Sequence, residues 1–171
     1  VFKFKAQKTT LAALAIGVAA ISQGAFAQTT ASVGVSATVG ANCIVSTTPI
    51  AFGVYNPVAV PPTDATGTVS LTCTTGAVPT IGLDNGLNFL AQRRLASGGN
   101  FILYSVFQPA SNAASAACAY TTAYPATATP FVLTAAPSVA ARIYNLCGRI
   151  PALQSAAVGT YSDTITATVT F

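Results

Sequence analysis

Histidine, methionine, tryptophan and glutamate are missing from this 171-residue chain, and only 6% of its residues are charged. An average globular domain carries about 25%. Without His there is no imidazole metal site, no His-based acid–base pair and no Ser-His-Asp triad. The only acids are Asp64, Asp84 and Asp163, and they stand far apart in sequence. No side chain supplies a base near neutral pH, so an enzyme is not expected. The cysteines exclude more. Cys43, Cys73, Cys118 and Cys147 include no C-x-x-C pair, so a thiolate metal site and a catalytic dithiol both lack their usual spacing. Neither a metal nor any other cofactor is expected.

The formal charge of +4 looks basic, but Lys3, Lys5 and Lys8 all precede an apolar run, Leu11 to Ile21. That run is short for a bilayer span, and Ala25-Phe26-Ala27 follows it. This is the three-part layout of a secretory signal peptide, with cleavage expected after Ala27. The remaining 144 residues keep four Arg against three Asp, a formal +1. So small an excess argues against a nucleic-acid partner. Export also bears on the cysteines. An even set in an oxidising compartment reads as two disulfides, for which three connectivities are possible.

Beyond the signal segment, alternation with a period of two dominates, and the domain reads as all β. In Thr68–Thr74, Val69, Leu71 and Cys73 share one face and hydroxyls the other. Thr80–Asp84 continues the pattern. Asn85-Gly86 then predicts a hairpin, with Leu87 and Phe89 resuming beyond it. Phe101–Phe107 is apolar on both faces and predicts a central strand covered on both sides. Ala140–Ile150 predicts another strand. Gln108 to Pro130 reads as a long loop with a short strand near Ala119–Thr122, and a bridge from Cys118 to the Cys147 strand would staple it. The last segment is the clearest. Ile165, Ala167, Val169 and Phe171 alternate with Thr164, Thr166, Thr168 and Thr170. Tyr161 either pins a loop through its hydroxyl, as in a tyrosine corner, or lies half-buried at a strand edge. Asp163 reads as a turn or capping residue.

Ahead of Cys43 lies an arm, Thr29–Val39. Ala31, Val33, Val35, Ala37 and Val39 alternate with Thr30, Ser32, Gly34, Ser36 and Thr38. The arm is either the first strand of its own sheet or a strand added to a neighbouring molecule. From Cys43 onward about six strands are legible, one short of a seven-stranded sandwich. An incomplete sandwich exposes an apolar groove and unpaired backbone. Three Val side chains buried there would stabilise by roughly 5–9 kcal/mol as an upper estimate. Head-to-tail donation does not close on itself and yields a filament. A surface of hydroxyls and amides, nearly free of charge, suits such a filament and is little affected by salt.

Several motifs in this order resemble the spore coat protein U domain family, pilin subunits of the archaic (Csu-type) chaperone–usher pathway. They are Asn42-Cys43-Ile44-Val45 after an alternating arm, Phe52-Gly53, Val69-Ser70-Leu71-Thr72-Cys73, and Gly159-Thr160-Tyr161-Ser162-Asp163-Thr164 before a final alternating strand. The resemblance implies an incomplete immunoglobulin-like β-sandwich completed by a donor strand from a neighbouring subunit. It implies a signal peptide at 1–27, a donor arm at 28–41 and a pilin domain at 42–171. Val33, Val35, Ala37 and Val39 would fill the neighbour's groove. A periplasmic chaperone would first pair with Ile165, Ala167, Val169 and Phe171, and an outer-membrane usher would exchange it for the arm. The disulfides would be Cys43–Cys73 and Cys118–Cys147. The product would be an adhesive pilus outside the cell, built from identical or related pilin subunits and meeting a host or abiotic surface. The alternative is a tip adhesin or secreted lectin-like module, using Arg93, Arg94, Tyr120, Tyr124 and the long loop. The absent Trp, the second cysteine pair and the Ala-rich middle depart from the family pattern.

Overall fold

The computed structural model describes residues 28–124 and 129–171. The signal-peptide reading of residues 1–27 lies outside the described residues. Residues 28–42 form no strand or helix, and all are exposed. From Cys43 the chain is all β, and no helix forms among the described residues.

Among the described residues ten strands follow in chain order: β1 (Cys43–Thr48), β2 (Thr63–Cys73), β3 (Thr80–Leu83), β4 (Arg94–Ser97), β5 (Asn100–Leu103), β6 (Ser105–Pro109), β7 (Cys118–Ala123), β8 (Phe131–Val132), β9 (Arg142–Ile150) and β10 (Ala167–Thr170). One sheet has five strands in the order β1-β2-β9-β6-β7. A second has three, β10-β3-β8, and β4-β5 forms a separate ribbon. Every pairing is antiparallel.

The two larger sheets face each other as an immunoglobulin-like sandwich. Val69 and Leu71 of β2, Val106 of β6, and Tyr144 and Leu146 of β9 meet Ile81 and Leu83 of β3 in one core. The alternation in β2 explains the sheet. Its odd-numbered residues from Gly67 to Cys73 are buried, and the intervening Thr and Ser stand outward. Thr48 and Thr68, opposite each other in β1 and β2, bond through their hydroxyls at 2.8 Å.

Disulfides join Cys43 to Cys73 and Cys118 to Cys147. The first links opposed residues of β1 and β2. The second ties the strap after β6 to β9. The Asn145 side chain holds the same strap by donating to the Ala116 carbonyl at 2.9 Å. A bidentate pair, Arg149 to Asp64, bridges β9 and β2. It is partly exposed and so contributes little.

Three sequence expectations need correction. Asn85-Gly86 turns with Gly86 at φ +83°, but no hairpin strand resumes at Leu87 or Phe89. The Asp84 carboxylate accepts from the Gly86 amide, and the Leu87 amide donates to the Thr164 carbonyl. The chain therefore leaves the turn along the last segment instead of back along β3. Phe101–Phe107 is not one central strand. It breaks at Tyr104, whose amide donates to the Arg93 carbonyl, and its halves join different sheets. Phe101 and Leu103 are exposed as a result. The strand expected from Ala140 begins at Arg142. The β4–β5 ribbon was not anticipated.

Tyr161 takes the corner role. Its hydroxyl donates to the Ala157 carbonyl, four residues upstream, at 2.9 Å. Tyr161→Phe is expected to lower stability by about 1 kcal/mol, the net worth of one hydrogen bond. Urea denaturation followed by tyrosine fluorescence would show a lower midpoint at unchanged slope.

Candidate functional site

The last segment is extended, and its burial alternates at every step from Tyr161 to Thr170. Its inward residues Ile165, Ala167 and Val169 pack on the core but stay only half-buried. Their counterparts Val69, Leu71, Ile81 and Leu83, on β2 and β3, are 0% exposed. Phe171 is 49% exposed. The same inward parity thus meets a closed core on β2 and β3 and an open one along the last strand.

Backbone bonding explains the opening. Ser162 exchanges both of its backbone bonds with Ala96 of β4. The carbonyls of Thr164 and Thr166 accept from the amides of Leu87 and Asp84, and the Thr166 amide donates to Asp84 Oδ1 at 2.8 Å. Thr168 and Thr170 stand opposite Gly82 and Thr80 of β3. The even-numbered residues therefore bond toward β3 and β4. Successive strand residues turn their N–H and C=O groups to opposite edges. Those of Ile165, Ala167 and Val169 face the other way, where β10 is the edge of its sheet and meets no strand among the described residues.

A groove follows this edge. Its facing wall is β1 and the chain just after it. Beside Asp163–Ala167 lies a cavity of about 460 Å³ floored by Leu83, Tyr104 and Leu146, with Ile50 and Phe52 opposite. It continues into a second of about 720 Å³, between Ile50–Tyr55 and Ala156–Asp163. Ile50, Phe52, Leu95 and Asp163 border both. Gly148 positions the facing wall, since a Cβ there would strike the side chains of Ile50 and Phe52.

Asp163 is neither a turn nor a helix cap. It is a half-buried acceptor that ties two segments, at Asn88 and Tyr104, to the last strand. Its Oδ1 accepts from the amide and side-chain N–H of Asn88, both at 3.1 Å. Its Oδ2 accepts from the Tyr104 hydroxyl at 2.7 Å. Burial, and then the bond to this carboxylate and its charge, push the Tyr104 phenol well above its ordinary range. Desolvation raises the Asp84 carboxyl, but the amides of Thr166 and Gly86 and the Arg93 charge outweigh it and hold it below the usual value. These bonds to Asp84 therefore stabilise the fold at neutral pH and are lost as acid protonates it.

The arm residues Val33, Val35 and Val39 are 86%, 93% and 81% exposed, and Ala37 is exposed as well. Ile165, Ala167, Val169 and Phe171 lie together along the open edge. The residues of the alternative ligand surface are engaged internally. Arg93 donates to the Asp84 carbonyl at 2.5 Å, and Arg94 donates to the Asn88 carbonyl and stacks 4.0 Å from the Phe101 ring centre. Tyr124 is buried, while Arg149 lies over Tyr120. Sequence reasoning missed the groove floor, Leu83, Leu95, Tyr104 and Leu146. Parity alone could not separate a residue under an open groove from one under a closed core. Among the described residues, no three His, Cys, Asp or Glu side chains gather as a metal site.

The fold is thus an all-β sandwich open along one edge. The family model of the Spore Coat Protein U domain matches residues 29–168. The chain belongs to that family. No curated protein matches it. Its fold is similar to a chain of the CsuC–CsuE chaperone–tip adhesion subunit pre-assembly complex, from the archaic chaperone–usher Csu pili of Acinetobacter baumannii. That likeness has a TM-score of 0.55 at 22% identity, over 78% of this chain and 40% of that one.

Gly86 needs its positive φ, and a Cβ there would strike the Asp163 carboxylate. Gly86→Ala is expected to destabilise by about 1–3 kcal/mol through backbone strain and displacement of this carboxylate. A thermal melt lower by several degrees would report it, and an unchanged melt would deny the tie.

Proposed function

We propose that this chain is a structural subunit of a secreted adhesive pilus, polymerising head to tail by donor-strand complementation. The observation that carries the reading is the open edge. Ile165, Ala167 and Val169 offer backbone groups that meet no strand among the described residues, beside an apolar groove, and the same chain carries an exposed alternating arm of matching chemistry. Val33, Val35, Ala37 and Val39 of one copy enter the groove of the next. Their side chains fill the cavities while their backbone completes the ladder.

Before assembly the groove needs a temporary occupant, because an apolar edge of this kind aggregates. A periplasmic chaperone pairs with Ile165, Ala167, Val169 and Phe171, and an outer-membrane usher exchanges it for the arm. The family membership and the likeness to a chaperone–usher pilus complex support both partners. Residues 1–27 direct export, 28–41 donate and 42–171 accept. The pilus then lies outside the cell, where it adheres to a host or abiotic surface. The internal engagement of Arg93, Arg94 and Tyr124 favours a filament subunit over a lectin-like module.

Protein starting at Gln28 is expected to form multimers that resist SDS without heating, and the form lacking residues 28–39 to run as a monomer. Val35→Asp places a charge in an apolar groove, at a cost of several kcal/mol, and is expected to stop assembly. Multimers from the truncated form would remove the arm as donor.

A further inference from the structure

The groove is uneven, and so is the arm. Along the last segment the inward residues are Val169, Ala167, Ile165, Asp163 and Tyr161; Ala167, Ile165 and Asp163 line the first cavity, and the larger cavity lies at the Tyr161 end. The arm offers Ala31, Val33, Val35, Ala37 and Val39. Each set spans eight residue steps, roughly 27 Å at the antiparallel rise.

We propose one register for the arm of a second copy, resting on the donor-strand reading above. The arm runs antiparallel to the last strand, with Val39 opposite Tyr161, Ala37 opposite Asp163, Val35 opposite Ile165, Val33 opposite Ala167 and Ala31 opposite Val169. The direction follows the rest of the fold, in which every strand pair is antiparallel. Three features of the groove select the register.

Size complementarity is the first. Ala31 and Ala167 each face a larger partner, so the layer is neither void nor overfilled. Asp163 is the second. Its carboxylate already accepts from Asn88 and Tyr104, and Ala37 covers it with less apolar bulk than any of the three Val residues of the arm would. The larger cavity is the third, because this register sends Val39 into it. Sliding the arm two residues toward Phe171 sets Val39 against the Asp163 carboxylate and leaves only the methyl group of Ala41 for that cavity. Sliding it two residues the other way sets Val35 against Asp163 and Ala31 against Ala167. Two methyl groups then face each other across a void.

Cysteine pairs test this directly, because opposed strand residues sit at Cα separations that a disulfide accepts. Val33→Cys with Ala167→Cys, in protein starting at Gln28, is expected to yield a reducible covalent ladder on oxidation. The ladder should survive heating in SDS. Val35→Cys with Ala167→Cys and Ala31→Cys with Ala167→Cys mark the two shifted registers and are expected to yield none. A ladder from either of these, and not from the first pair, overturns the register and leaves the donor-strand reading standing. No ladder from any pair, with SDS-resistant multimers persisting after deletion of residues 28–39, removes both. A second measurement needs no new thiol. Val39→Ala is expected to lower the temperature at which multimers dissociate in SDS, and an unchanged temperature also overturns the register.

Discussion

A strand bonded along one edge only, with its inward side chains half covered, is the constraint on which the rest of this molecule turns. The last strand meets β3 and β4 through its even-numbered residues, and among the described residues the backbone of Ile165, Ala167 and Val169 has no strand partner. In water those groups are solvated, so the open state is tolerable. Once an apolar body covers the groove, each one left without a partner costs about 1–3 kcal/mol. Only an occupant that brings its own amides and carbonyls in register escapes that penalty, and an extended strand does so. An apolar helix or ligand of the same volume would not.

The groove is held ready for such an occupant by polar contacts. Asp163 gathers Asn88 and Tyr104, Asp84 reaches the Thr166 amide, and Tyr161 anchors the start of the last strand. Arg93 holds the Asp84 carbonyl from the far side of the turn. Two of the three acids and one of the four arginines thus fix the path of a single strand. Charge is scarce in this chain, and much of what it has serves to fix the groove. A preformed groove spares an incoming strand the cost of ordering the surface it binds.

Much of this was legible in the sequence, and the exceptions have physical causes. The alternation of Val69, Leu71 and Cys73, and of Ile165, Ala167 and Val169, specifies inward and outward faces because parity in a strand is geometric. Parity says nothing about what lies across the sandwich, so the open core beside Ala167 and the closed core beside Leu71 read alike. The break at Tyr104 was illegible for a related reason. Phe101–Phe107 has the composition of one strand, and the interruption comes from Arg93, eleven residues before Tyr104, accepting the Tyr104 amide. Asn85-Gly86 carried a true turn signal, but Asp84 and Thr164 redirected its exit. The cysteine pairing was open on spacing alone, and the fold places Cys43 opposite Cys73.

Hydrogen–deuterium exchange at single-residue resolution tests the central claim most directly. In monomer lacking residues 28–39, the amides of Ile165, Ala167 and Val169 should exchange quickly while those of Thr168 and Thr170 are protected. In multimers of protein starting at Gln28, all five should be protected. Slow exchange at Ile165, Ala167 and Val169 in the monomer would mean that the edge is already closed, and the account would fail.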